Sequence, residues 1–248
     1  FPAALMAIFN NLLFGLGEVF HSNVWWSRAF AMRPGVGERA YKLAGVLWLP
    51  VPIVAGFIAL AAPALDINIP QVNMVAPLVA AKLLGAGGAI MVFIVVFSSL
   101  ASSIDSLLAS TSDLITQDVV GGLIRPGASE ELLKRASSWV TIGLSFAAWL
   151  VCLGENRDLA TVLFRAGPLV GSAIWPVIHG LYRNTTNPTG VTSAMVAGSV
   201  AGLWAYYTLG WYTASLIGTV VSMLIVLSTS KLAPRPFDWA LLDPQRAD

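Results

Sequence analysis

Polar and apolar positions along this chain sort into long blocks. Seven predominantly apolar segments lie near residues 3–27, 43–63, 88–116, 137–154, 160–182, 190–209 and 213–230. Each has the length a helix needs to cross about 30 Å of hydrocarbon. The pattern predicts an all-α membrane protein of about seven transmembrane helices. Pro50 and Pro52 should kink the second span, because proline removes a backbone donor. A short amphipathic piece is expected over 75–84, within an outside loop at 64–87, and Gly85 to Gly88 lead from it into the third span. Ser129-Glu130-Glu131 reads as a helix start on a connector, with carboxylates at the dipole's positive end.

Within the third span the polar residues are not scattered. At roughly 100° per residue, Ser99, Ser102, Ser103, Ser106, Ser110 and Asp113 fall within about a third of the helix circumference. Hydroxyl oxygens suit hard cations, so the stripe is a candidate ion path. Close helix packing through small residues is the alternative reading. In the first span Gly15, Gly17 and Glu18 interrupt the apolar run. Glycine lowers helix propensity, and a carboxylate at this depth implies a partner or a water-filled cavity. Broken helices near the midplane are where secondary transporters bind their solutes, so this region is expected to bind substrate; a kinked packing helix is the other reading. His21 reads as a ligand, a proton carrier or a packed side chain. Arg165, within two turns of the outer end of its span, either snorkels to headgroups or forms an outer-gate ion pair, with Glu18 as one partner.

Composition agrees with the pattern. Of 248 residues, 56% are hydrophobic and only 11% charged, where a soluble domain would carry about a quarter charged; mean hydropathy is +0.75. With 28–42 placed in the cytoplasm, nearly all loop Lys and Arg fall on that side, leaving Lys82 and Arg157 opposite. This predicts residue 1 outside and the C-terminus in the cytoplasm. A net charge of +1 without a basic cluster gives no reason to expect nucleic acid. The single cysteine, Cys152, excludes an internal disulfide. Neither a Gly-Lys-Ser/Thr phosphate loop nor a Gly-x-Ser-x-Gly elbow is present, so an enzyme is not expected. The chain begins at Phe1, already inside an apolar run, and reads as the C-terminal part of a longer transporter.

The run Ser99-Leu-Ala-Ser102-Ser103-Ile-Asp105-Ser106, with Thr116-Gln-Asp118 closing the helix, resembles the signature helix of the sodium:solute symporter family. Asn23-Val-Trp25-Trp26-Ser-Arg28, Trp48-Leu-Pro50-Val-Pro52, Trp175-Pro176 with Asn187-Pro-Thr-Gly190, and the Phe237-Asp-Trp239 ending resemble its urea-transporting branch. That branch commonly has an acidic residue at Ser22 and a small uncharged one at Glu18, so this chain departs from it at both.

The resemblance implies an inverted-repeat, leucine-transporter-like fold. Residues 1–182 would supply the second five-helix repeat, 183–230 two accessory helices and 231–248 a cytoplasmic tail, with the first repeat absent from this chain. It implies sodium at Ser99, Ser102 and Ser103, a candidate second ion site at Asp105 and Ser106, solute near Gly15, Gly17, Glu18 and Ser22, and a candidate gate at Arg165. The expected activity is sodium-coupled uptake of a small polar solute, urea first, in the cell membrane. Amines, amino acids, carboxylates, a symporter-like solute sensor and a passive channel remain open.

Overall fold

The computed structural model describes residues 2–33, 35–153 and 159–239. Every regular element among them is helical. In order they are α1 (Pro2–His21), α2 (Asn23–Ala31), α3 (Val36–Trp48), α4 (Pro50–Ala64), α5 (Val75–Leu114), α6 (Glu130–Cys152), α7 (Leu159–Gly171), α8 (Ile174–Tyr182), α9 (Pro188–Thr208) and α10 (Ala214–Leu232). Five stretches are long and apolar enough to cross a membrane: Pro2–His21, Val36–Ala64, Val72–Ile124, Val162–Tyr182 and Trp211–Leu232. The protein is therefore a multi-pass membrane protein, with five such spans among the described residues rather than the seven expected. At about 1.5 Å per residue, α6 and α9 have the length. Their composition is more polar: α6 opens on Glu130, Glu131, Lys134 and Arg135, and α9 carries repeated Ser, Thr and Gly.

The helices form two compact units, residues 1–22 with 159–248 and residues 23–158. In the first unit α9 and α10, which the sequence sets apart as peripheral helices, pack on each other and on α7. Small residues let these backbones approach. A β-carbon on Gly198 would lie 2.7 Å from the carbonyl oxygen of Gly218, and one on Gly202 2.6 Å from the Pro168 side chain. The core is accordingly built from Ala194, Ala205, Ala214, Ser215, Thr219, Ser222 and Val226, with Asn10 of α1 fully buried among them. The Asn10 Oδ1 atom accepts the backbone N–H of Ser215 at 2.8 Å. Helix association through small residues and interhelical hydrogen bonds is the membrane pattern, where apolar burial alone gives no drive.

In the second unit α4 and α6 pack along α5, whose Gly85 has φ 68° and ψ −162°. That left-handed residue turns the amphipathic arm 75–84 into the long span, as the glycine run suggested. Beyond it, a β-carbon on Gly88 would meet the Ala80 carbonyl at 2.5 Å. Pro50 and Pro52 interrupt the Val36–Ala64 stretch, as expected: α3 ends at Trp48, and the prolines occupy the first turn of α4. Missing N–H groups there leave no intrahelical acceptor stranded.

Candidate functional site

The hydroxyl stripe of α5 divides in two. Ser99, Ser102, Ser103 and Asp105 are exposed, and the Ser103 Oγ–H donates back to the Ser99 carbonyl at 3.0 Å. Serine oxygens keep lone pairs in that arrangement, so one turn of helix presents the Ser102 and Ser103 hydroxyl oxygens on an open face, with the Ser99 carbonyl beneath them already accepting from Ser103. Less than one turn after Ser103 the environment changes. Ser106 is half-buried, and its Oγ accepts a hydrogen bond from Arg28 Nη2 of α2 at 3.3 Å. Arg28 itself lies 5.6 Å over the Trp25 ring, and the Trp25 carbonyl accepts the Tyr41 hydroxyl at 2.9 Å. A guanidinium thus lies against Ser106 of the candidate second ion site, where its charge opposes a further cation.

Lower on α5, the hydrogen bonds to α6 come from Ser112. Ser112 is buried, and its hydroxyl meets the Ser137 carbonyl at 2.9 Å and the Ser137 hydroxyl at 3.1 Å. The helix does not close at Thr116-Gln-Asp118. It continues as a π-helix over Ile115–Ile124, a wider i→i+5 winding that seats Gly121 against Leu133 of α6. Thr116 is buried there with no partner for its hydroxyl among the described residues, beside a cavity of about 320 Å³ bordered by Asp113, Gln117, Glu130, Lys134 and Ser137.

The second region lies in the other unit. The interruption expected at Gly15–Glu18 is not present, since α1 runs unbroken from Pro2 to His21. Gly17 is a packing residue: a β-carbon there would sit 2.6 Å from the Val170 carbonyl oxygen. Gly15 is exposed with open space around it, and Glu18 is half-buried. The chain breaks later, at Ser22, which is buried and donates its N–H to the Glu18 carbonyl at 3.0 Å. Beside this end Phe20 and His21 border a largely apolar cavity of about 690 Å³, together with Ser172, Ser199 and Met195. The Ser172 and Ser199 hydroxyls are 2.9 Å apart.

A discontinuous span does occur, between α7 and α8. Pro176 supplies no N–H for the Ser172 carbonyl, and the Ser222 hydroxyl of α10 donates to that carbonyl at 2.6 Å. The Gly171 carbonyl likewise accepts the Thr219 hydroxyl at 3.1 Å. Carbonyls released by a helix break at membrane depth must find protein donors, and α10 provides them. The proline that makes the break is legible in the sequence, whereas its partners, about 50 residues on, are not. Arg165 of α7 stacks its guanidinium over Tyr206 and Tyr207 of α9, at 5.8 and 5.7 Å from the ring centroids, and its Nε is buried without a hydrogen bond. Sequence reasoning offered headgroups or a carboxylate for this side chain and missed the two rings.

Comparison with known proteins places the chain in a family. Residues 44–198 match the model of the Sodium:solute symporter family. The chain is 27% identical to a urea-proton symporter of Oryza sativa subsp. japonica, over 92% of this chain and 35% of that protein. It is 25% identical to a urea active transporter of Saccharomyces cerevisiae, over 92% and 36%. It is also 25% identical to an osmoregulated proline transporter of Bacillus subtilis, over 57% and 30%. The chain thus spans about a third of the length of the curated relatives it matches. No solved structure matches it.

Proposed function

This chain belongs to the sodium:solute symporter family, a family of transporters rather than enzymes, and we propose that it forms part of a secondary active transporter of the cell membrane. The transporter would couple inward movement of a cation to uptake of a small polar solute, with urea as the first candidate. The observation that carries the reading is the open oxygen-bearing turn at Ser99, Ser102 and Ser103 on an apolar span. On the family plan sodium rests on the Ser99 carbonyl and the Ser102 and Ser103 hydroxyls. Its other ligands are carbonyls of the first repeat, which lies outside these 248 residues, while residues 1–182 form the second repeat and the tail lies in the cytoplasm. Solute would bind towards Gly15–Ser22. Cation binding holds the two repeats together, and release inward lets the solute follow. Each elementary charge moved through 100 mV contributes about 2.3 kcal/mol.

A proton is the second reading for the coupling ion, favoured by the rice relative's name. The two differ chemically. Serine hydroxyls at neutral pH do not exchange a charge, so proton coupling must use a titratable side chain such as Glu18, His21 or Asp105.

The test is uptake of radiolabelled urea into proteoliposomes carrying the complete transporter, driven by an inward sodium gradient or by a pH gradient, with Ser102→Ala/Ser103→Ala alongside. Sodium-driven uptake that the double variant loses supports sodium coupling. Uptake that follows the pH gradient and survives in the double variant reassigns the ion. Gradient-independent flux overturns coupled transport, and uptake of proline or an amine instead of urea reassigns the solute.

A further inference from the structure

The Phe237-Asp-Trp239 ending and the Asn187-Pro-Thr-Gly190 turn take no part in the ion or solute reading, yet they are locked together. Asn187 caps α9, its Oδ1 accepting the Gly190 N–H at 3.1 Å and the Thr189 hydroxyl at 2.6 Å. The same side chain reaches across 46 residues, its Nδ2 donating to the Ala233 carbonyl at 2.7 Å. A second tie follows, from the Phe237 N–H to the Asn184 carbonyl at 2.6 Å. The tail after α10 is therefore laid along the α8–α9 turn, 233 beside 187 and 237 beside 184. This pairing gathers Arg183, Lys231 and Arg235 at one end of the unit, all three exposed. Among the described residues one carboxylate, Asp238, shares the segment. Around the cations stand apolar and aromatic side chains directed outward: Tyr182 is 81% exposed, Leu232 85%, and Phe237 and Trp239 are both open and in edge contact with each other.

We propose that this end of the protein is a binding face for the headgroups of anionic phospholipids. Among the described residues of this end three cations outnumber one carboxylate, and the cations sit where two spans leave the bilayer, so their charge meets lipid phosphate at the depth of the headgroups. Each Lys or Arg at an anionic surface contributes about 1 kcal/mol, or roughly fivefold in affinity. Aromatic and aliphatic side chains around them match the adjoining interface, as Trp and Tyr do at membrane boundaries. The two backbone ties supply what a loose basic tail lacks: they fix Arg235 beside the turn that carries Arg183, so a bound headgroup meets both without ordering the segment first.

The test uses the complete transporter in nanodiscs and in detergent. Native mass spectrometry and thermal unfolding would follow titration with phosphatidylglycerol against phosphatidylcholine, for wild type and for Arg183→Gln/Arg235→Gln. Wild type should retain phosphatidylglycerol preferentially and be stabilised by it, more weakly at high salt. The double variant should lose about 25-fold in that preference, and Arg183→Lys/Arg235→Lys should keep most of it. Wild type holding both lipids equally overturns the proposal without any variant. An undiminished preference in the double variant, or equal stabilisation by glycerol phosphate, overturns it too, the first placing the lipid elsewhere and the second replacing a membrane contact by a soluble anion site. Should the double variant fail to fold, Asn187→Ser, which keeps a neutral N-cap oxygen and removes the amide donor to Ala233, must lower the preference as well.

Discussion

Ser102 and Ser103 illustrate how a single residue type can be read from a sequence. Their spacing identifies a face, and one face of a straight helix has the same orientation whatever surrounds it, so the exposed turn at 99–103 was legible. On the proposed sodium reading, Ser102→Ala/Ser103→Ala should raise the half-saturating sodium concentration for transport at least tenfold, equivalent to about 1.4 kcal/mol, with helical content by circular dichroism unchanged. Gly17 shows the opposite. A glycine in an apolar run either breaks a helix or lets a neighbour approach, and the local sequence is identical in both cases. Here the Val170 backbone fills the space. Gly17→Leu should cost about 1–3 kcal/mol through overpacking, read as lowered thermal stability in detergent. Gly15→Ala, with open space at its β-carbon, should stay within about 0.5 kcal/mol. The Arg165 stack was hidden for another reason: its rings lie 41 and 42 positions on, and nothing in the intervening sequence points to them.

Among the elements, Pro50 and Gly85 mark interruptions, whereas Gly15 and Gly17 lie within an unbroken α1, and none of them shows how a break is resolved. Pro50 opens α4, Gly85 turns α5, and Pro176 divides α7 from α8. Only the last leaves carbonyls to be satisfied from another helix. Removing the Ser222 hydroxyl with Ser222→Ala should destabilise the first unit by about 0.6–1.7 kcal/mol, the range of interhelical hydrogen bonds in membranes. Pro176→Ala restores a backbone donor near the Ser172 carbonyl, so the cost of Ser222→Ala should shrink in that background. A double-mutant cycle followed by thermal unfolding would measure this coupling; full additivity would mean that Ser222 acts elsewhere. The π-helix at Ile115–Ile124 had no signature at all, because hydrophobic periodicity does not distinguish a widened turn from an ordinary one.

For the whole molecule, the membrane class and the family were legible because each rests on long blocks and a dense motif. The division into units was not, since it depends on which distant faces meet. The 248 residues correspond to about a third of each curated relative, and the face at 99–103 is open. We expect this chain alone, reconstituted in liposomes, to give no sodium-dependent urea uptake, while the complete transporter does; equal uptake by both would mean that the ion site needs no further polypeptide.

The hydroxyls of Thr219 and Ser222 also set a timetable. Residues 23–158 form one uninterrupted stretch of chain, whereas the other unit joins residues 1–22 to residues after 158. As the chain leaves the ribosome, α1 must wait with Asn10 unmatched until Ser215 is made, 205 residues later. The released carbonyls of Gly171 and Ser172 wait about 50 residues for α10. In hydrocarbon such groups cost several kcal/mol each, so water or insertion machinery must accompany them in the interval. Nascent chains halted before Thr213 should hold a protease-resistant 23–158 while α1, α7 and α8 stay cleavable, and release of the last helix should close both waits at once.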